Sequence, residues 1–358
     1  MSNMLVSRVI KCRFVEPTKR KLEYLNNEWN NYQDFIELEK NNCDWLADKI
    51  PIYSSYKQQA RRFFKKINSK KEYPISLRKD IIKIKETNNK LSKYWVRFPI
   101  KAKRGGIWLP IKPHREFSDN YKLGESKLLK KKGEFWLYIV VRREIEIRKS
   151  YSSILAIDIG EKVLATVLLN GRPIFMGREI RGIRRHYSWL RKRLGNKKLM
   201  KKIKQIEHRE QNCVDSRLHE ISKRIVSFAN QHDSLILLGD LKGIQNHSKG
   251  KKFNRIVHNM PYDKLAKYIE YKANWLGIAI ARIREDGTSR TCSICGYENK
   301  LNRKTQGLFK CKSCNYETNA DFNAVKNIHK RSLGYMLKDG AVLLPMSCLE
   351  QQAQEVLK

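Results

Sequence analysis

Apolar and polar positions alternate from the start of the chain, around Met4, Val6, Arg8 and Ile10, with Cys12 and Phe14 following. This predicts an opening strand that ends near Pro17. From Lys19 to about Ser92 the spacing turns helical, with Leu22, Leu25, Trp29, Tyr32, Phe35 and Ile36 in step and Pro51 and Pro74 as breaks. Residues 94–148 return to β character: Tyr94 to Phe98, a Gly105-Gly106 turn, then the run from Glu134 to Val141. The aromatics of this β element are read as sheet core in preference to base-stacking platforms. After Tyr151 a new pattern begins. Ile154–Ile157 predicts a buried strand ending at Asp158, Val163–Leu169 a second, and Asn170-Gly171 a hairpin turn before Pro173–Met176. A long basic helical stretch over 179–232 carries the stripe Leu218, Ile221, Ile225 and Phe228. Leu235–Leu238 predicts a buried strand ending at Gly239-Asp240, residues 261–276 a helix, Ile278–Ile283 a strand ending at Glu285, and Asp321 to about His329 a last helix. The tail after Lys330 shows no strong pattern and is expected to be partly mobile.

Charge sharpens the picture. The 358 residues hold 75 Lys+Arg against 36 Asp+Glu, a formal net charge of +39, while 41% hydrophobic content suffices for real cores. The length predicts two or three domains. So large an excess opposes compaction unless a polyanion compensates it, which points first to nucleic acid. A membrane partner is not expected, since the sequence has no apolar run of spanning length and no signal-peptide core.

Four of the eight cysteines form two Cys-x2-Cys knuckles, Cys292/Cys295 and Cys311/Cys314. Four thiolates at that spacing suit a closed, tetrahedral, structural Zn2+ site. Gly296 and Asn315, each following a knuckle, permit the tight turn it needs. Cys12, Cys43, Cys213 and Cys348 are scattered. A disulfide scaffold does not fit a chain of this length, so a reducing, intracellular compartment is expected.

The order strand, hairpin, strand, long helix, strand, helix, strand resembles the RNase H-like fold of the RuvC group, whose nucleases place carboxylates at strand ends to hold divalent metals. Residue by residue, the chain resembles the TnpB family of transposon-encoded RNA-guided nucleases, related to type V CRISPR effectors and Fanzor. Ile154–Gly160 (ILAIDIG) is similar to the first RuvC motif, Thr288–Gly296 (TSRTCSICG) to the approach to the zinc ribbon, and Asn319–Ile328 (NADFNAVKNI) to the third RuvC motif. The resemblance implies Asp158 and Asp321 as catalytic Mg2+ ligands, although Asp is also favoured at helix N-caps.

The resemblance implies a multidomain α+β organisation. A β wedge-like domain would cover 1–18 and 93–150, with a helical recognition insert at 19–92. A RuvC-like α/β nuclease domain would cover 151–287 and 319–330, with a four-cysteine zinc ribbon at 288–318 and a tail at 331–358. The second motif departs from the family. Leu238–Lys242 reads LGDLK, and Gly239 stands where a glutamate is expected. Three explanations compete: an inactive site, substitution by Asp240, or a carboxylate from the neighbouring strand. The third is preferred. Glu285 ends the strand expected beside Gly239, about 4.8 Å away, and glycine leaves room for it. Some relatives look similar in carrying a relocated glutamate just before the ribbon. The implied function is an RNA-guided DNA endonuclease of a mobile element, with guide RNA and double-stranded target DNA bearing a short adjacent motif as partners, in the cytoplasm and nucleoid-associated when on DNA. The alternatives are a nuclease-inactive RNA-guided repressor and a guide-free zinc-ribbon transposition factor.

Overall fold

The computed structural model describes residues 3–63, 72–240, 260–331, 337–338 and 341–343. The chain divides into two compact units, one of residues 5–144 and one of residues 1–4 with 145–358.

The first unit is a β-sheet with a helical insert. Strand β1 (Asn3–Phe14) leads into α1 (Lys19–Lys40), the short α2 (Asp44–Ala47) and α3 (Ser54–Phe63). Helix α1 buries the expected stripe of Leu25, Trp29, Tyr32, Phe35 and Ile36. The Trp29 ring meets that of Phe135 edge to face at 5.7 Å, seating the helix on the sheet. The helical expectation for 19–92 fails at its C-terminal end. β2 (Ile75–Leu77) and β3 (Lys83–Glu86) are strands, followed by β4 (Tyr94–Ile100), β5 (Lys103–Pro113), β6 (Lys122–Leu123), β7 (Ser126–Lys131) and β8 (Glu134–Glu146). The path runs β2-β7-β8-β1-β5-β4-β3, with β6 on β8. After Pro74, Ile75 and Leu77 are buried by pairing with β7. The run in β8 splits by face. Phe135, Leu137, Ile139 and Val141 are core, whereas Trp136 and Tyr138 are only half-buried. The Arg13 guanidinium lies 4.6 Å over the Trp136 ring. Strand alternation thus divides the aromatics of these strands: the expectation of core holds for Tyr94, Phe98 and Phe135 and fails for Trp95, Trp108, Trp136 and Tyr138.

The second unit is built on the five-stranded sheet β12-β11-β10-β13-β14. Its strands are β10 (Ser153–Asp158), β11 (Ala165–Leu169), β12 (Arg172–Met176), β13 (Ser234–Asp240) and β14 (Ile280–Arg284), and β9 (Ser150–Tyr151) precedes them. β10, β13 and β14 are parallel, whereas β11 and β12 add antiparallel through the Asn170-Gly171 turn, both residues at positive φ. Leu155, Ala156, Ile157 and Leu235–Leu238 are fully buried, as central parallel strands require. The helical stretch predicted over 179–232 is two helices, α4 (Arg178–Asn196) and α5 (Met200–Gln231), broken where Lys198 takes φ 55°. The α5 stripe of Leu218, Ile221 and Ile225 is buried, and α5 packs on β13 and on α6 (Tyr262–Trp275). The ribbon follows, with β15 (Leu308–Lys310) paired to β16 (Glu317–Asn319), then α7 (Ala320–Arg331), which packs across β10 and β11. Of the tail, β17 (Leu337–Lys338) and β18 (Ala341–Leu343) are described, β18 pairing with β9. The expected mobility and Cys348 lie outside the described residues. Among the described residues no helix is long and apolar enough to cross a membrane.

Candidate active site and metal-binding ribbon

The carboxylates are placed by strand register. Ile157 of β10 is in register with Leu238 of β13, so Asp158 and Gly239 come next along two neighbouring parallel strands. On the far side of β13, Gly239 is in register with Ile283 of β14. Residues in register face the same side of a sheet, and the side-chain period of two returns Glu285 to the face of Ile283 and Gly239. The glutamate lies where this geometry puts it. A Cβ built on Gly239 would overlap Glu285 Oε1 and Cδ and come within 2.6 Å of its Cγ. The space that a side chain at 239 would occupy is therefore filled by the end of Glu285. Asp240 is in register with Arg284, and its side chain lies outside the described residues.

Asp321 reaches the centre from α7. The capping role that Asp often plays falls here to Asn319, whose Oδ1 accepts from the backbone N–H of Asp321 at 2.9 Å and of Phe322 at 3.1 Å. Asp321 is thus left to face the sheet, only 8% exposed. Burial pushes its carboxyl above the usual range, opposed by Arg303, Lys162 and Arg178. Arg303 Nη2 stands 3.5 Å from Asp321 Oδ1. The Asp158 carboxyl is pushed up to about 7, first by burial and then by the charge of Asp321, again opposed by Arg303. A buried carboxyl whose ionisation is opposed by a second carboxyl beside it is an arrangement that a cation would relieve. Their donors, with Glu285, are all hard oxygens, a set suited to Mg2+.

The ribbon brings its four cysteines together, every Sγ within 4.8 Å of the others. Cys292 and Cys314 are 3.6 Å apart and Cys295 and Cys311 3.5 Å, far beyond disulfide bonding. A tetrahedron with Zn–S bonds of about 2.3 Å has edges of about 3.8 Å, so the cluster fits zinc in size as well as in chemistry. Knuckle amides support the thiolates: Ile294 N–H points to Cys292 Sγ and Ser313 N–H to Cys311 Sγ, both at 3.4 Å. The amide of Tyr297 draws the Cys295 thiol down to about 6. Gly296 and Asn315 take φ 77° and 58°, as the turns demand. Beneath them Cys292, Cys311, Phe309 and Ala320 form a small core.

The spacing of motifs gives no sign of the amides that join the ribbon to the helix bearing Asp321. Asn323 is fully buried; it donates to Thr291 O at 2.8 Å and accepts from Ser293 N at 2.9 Å. One turn later, Asn327 Nδ2 donates to Thr288 O and Thr291 O at 2.8 and 2.7 Å. Within the ribbon, the fully buried Asn302 donates to Arg290 O and Tyr297 O and accepts from Lys312 N, tying one knuckle to the other. Only the i, i+4 placement of Asn323 and Asn327 on a helix could have hinted at their shared face.

Residues 262–328 match the family model described as Cas12f1-like, TNB domain. The TnpB-like protein MJ0751 of Methanocaldococcus jannaschii is 32% identical over 227 residues, which cover 60% of this chain and 79% of that protein. The CRISPR-associated endodeoxyribonuclease Cas12f2 of a Micrarchaeota archaeon is 33% identical over 223 residues, 56% of this chain but 41% of that longer protein. A cryo-EM structure of a Cas12f1-sgRNA-target DNA complex aligns with 90% of this chain and 99% of that chain, at 16% identity and a TM-score of 0.42. Given the match to most of MJ0751, the chain belongs to the TnpB and type V effector family.

Proposed function

We propose that this protein is an RNA-guided DNA endonuclease of a mobile element, cutting phosphodiesters in a RuvC-like centre formed by Asp158, Glu285 and Asp321. The observation that carries this reading is the Glu285 side chain seated on Gly239, beside the strand end that bears Asp158. It supports an active centre over the inactive repressor suggested by the missing glutamate, because the lost carboxylate is supplied by the adjacent strand. Relatives bearing the name endodeoxyribonuclease support the same chemistry.

Each residue has a definable task. Asp158 and Glu285 present oxygens from the ends of two strands that flank β13, and Asp321 presents its own from the first turn of a capped helix. All three rest on rigid elements, which fixes the spacing of the donors. Two Mg2+ ions bound there would activate water and stabilise the leaving oxygen. The four cysteines would hold structural zinc, keeping the ribbon folded against α7. Sequence would be read by pairing between guide RNA and target strand, with Lys and Arg gripping the heteroduplex backbone. A short duplex motif beside the target would be read by the unit at 5–144. The net charge of +39 suits a protein that lives on a polyanion.

The test is to sequence the RNA that copurifies with the protein and assay Mg2+-dependent cleavage of matching DNA. Asp158→Ala, Asp321→Ala and Glu285→Gln should each abolish cutting while guide-directed DNA binding persists. Full cleavage by either aspartate variant refutes the RuvC-like assignment. A parent protein that binds its target but never cuts would establish the repressor instead.

A further inference from the structure

A cleft of about 400 Å³ lies between α4, α5 and α6, with walls from Arg184 and Arg191, Glu210 and Asp215, and Pro261 and Lys264. Arg184 and Arg191 stand two helical turns apart, so both reach the same side of α4. Between them Glu210, 7% exposed at its side chain, accepts from the Nη1 of Arg191 and, at 3.4 Å, from that of Arg184. Asp215 accepts from Lys264 on the facing helix. Three cations thus meet two carboxylates, which leaves one positive charge in excess. Glu210 engages a single nitrogen of the Arg184 fork. Arg184 Nε is buried and has no hydrogen-bond partner among the described residues. A buried donor left without an acceptor costs roughly 1–3 kcal/mol, and more on a charged group. A bound acceptor in the cleft would relieve that cost.

We propose that this cleft binds one nucleotide, its phosphate held by Arg184, Arg191 and Lys264 and its base stacked on the Tyr268–His219 pair. A guanidinium presents parallel N–H donors that match the oxygens of a phosphate. Glu210 fixes both arginines before a ligand arrives, which lowers the cost of ordering them. Helix α6 opens at Pro261 without a side-chain cap, so the positive end of its dipole adds to the field in the cleft. A phosphate alone would fill little of the space, whereas pockets for whole small ligands run from about 300 to 1,000 Å³. The aromatic pair lies one turn beyond Lys264: the Tyr268 ring is parallel to that of the exposed His219, with centroids 4.1 Å apart. Lys264 Nζ is 6.0 Å from the Tyr268 centroid, close to the reach from a phosphate to its own base. A free nucleotide and one unit of an RNA strand offer the same recognition chemistry. None of these residues belongs to the carboxylate centre or the ribbon, so occupancy of the cleft can be measured whether or not the protein cuts DNA.

The test uses the full, zinc-loaded chain in about 0.15 M salt, which screens the diffuse charge of the surface. Calorimetric titration of the nucleic-acid-free chain with AMP should show one saturable site, with inorganic phosphate and adenosine each binding more weakly. Arg184→Gln should weaken AMP binding by on the order of tenfold or more, the worth of one charge-assisted hydrogen bond. Glu210 keeps Arg191 as a partner in that variant, so an unchanged melting temperature is expected. Should Arg184→Gln fail to fold, Lys264→Gln carries the same expectation, because its partner Asp215 is 28% exposed and tolerates the loss. Arg185→Gln/Lys192→Gln removes two charges from the exposed side of α4 and should leave AMP binding close to the parent. Tyr268→Ala should weaken AMP but not inorganic phosphate. The chain purified with its RNA identifies the source. Exclusion of AMP until the RNA is stripped assigns the cleft to a nucleotide of that RNA, and equal binding before and after assigns it to a free nucleotide. The site is refuted if the stripped chain shows no saturable AMP binding, if Arg184→Gln and Lys264→Gln both bind AMP as the parent does, or if the exposed pair on α4 weakens it as much.

Discussion

Adding one methyl group at Gly239 should disable cleavage although no charged or polar atom is removed. The Cβ of Gly239→Ala would overlap the Glu285 carboxylate and lie 2.6 Å from its Cγ, well inside van der Waals contact. The backbone of β13 is locked between β10 and β14 by paired strands on both sides, so Glu285 is the partner that must move. Rotating its carboxylate clear shifts the donor oxygens by an ångström or more, and a misplacement of about 1 Å can cost on the order of a hundredfold in rate. Stability should move little or slightly upward, since alanine in a strand avoids roughly 0.5–1 kcal/mol of the entropy cost of glycine. Single-turnover cleavage of a guide-matched DNA, set beside thermal unfolding of the same sample, separates these effects. The double variant Gly239→Ala/Glu285→Ala should be no slower than Glu285→Ala alone, because both changes strike the same carboxylate. Exchanging the pair, as Gly239→Glu/Glu285→Gly, should recover part of the activity. Parental cleavage by Gly239→Ala would refute the claim that Glu285 works from the space above position 239.

Three further outcomes follow from the same geometry. Cys311→Ser should lose bound zinc and the fold of the ribbon together, as metal analysis and near-ultraviolet circular dichroism will show, because metal binding there is folding free energy. Asn327→Ala strips the side-chain donor from the buried Thr288 carbonyl and one of two from that of Thr291, which keeps Asn323, and should destabilise the ribbon–α7 junction by about 1–3 kcal/mol in denaturant titration; an unchanged midpoint would deny the junction its importance. Asp158→Asn should stabilise the metal-free protein at pH 8 but not at pH 4. The folded carboxyl titrates near 7 against 3.8 for an ordinary aspartate, so the parent loses stability as pH rises across that window, by at most about 4 kcal/mol. A constant difference in melting temperature between pH 4 and pH 8 contradicts this assignment.

What could be read from the sequence was whatever is local or follows from strand order. The knuckle spacing, the strand end at Asp158 and the motif around Asp321 are short-range patterns, and the structure gathers them as expected. The pairing of Gly239 with Glu285 was also legible, because parallel neighbours and a period of two determine which side chains meet. The strands at Ile75–Leu77 and Lys83–Glu86 were not. They are too short to show a period, and their burial comes from partners at Ser126–Lys131 and Tyr94–Ile100. Nor could the sequence single out Asn302, Asn323 or Arg303. An asparagine that bridges carbonyls, or an arginine that shields a carboxylate, looks like any surface polar residue until the chain brings its partner close. Nor does the sequence assign the cap: both Asn319 and Asp321 suit the position, and only the backbone geometry gives it to Asn319.

Helix α7 carries on one face the asparagines that grip the ribbon and, in its first turn, the aspartate that completes the carboxylate centre. These duties cannot be performed separately, which gives the protein a maturation checkpoint. A nascent chain emerges with Asp158 and Gly239 long before α7 exists, and at that stage it holds an unfinished centre. A chain starved of zinc would lack a folded ribbon for α7 to dock on. On the reading proposed here, cutting would wait on both the last helix and the zinc that folds its docking partner.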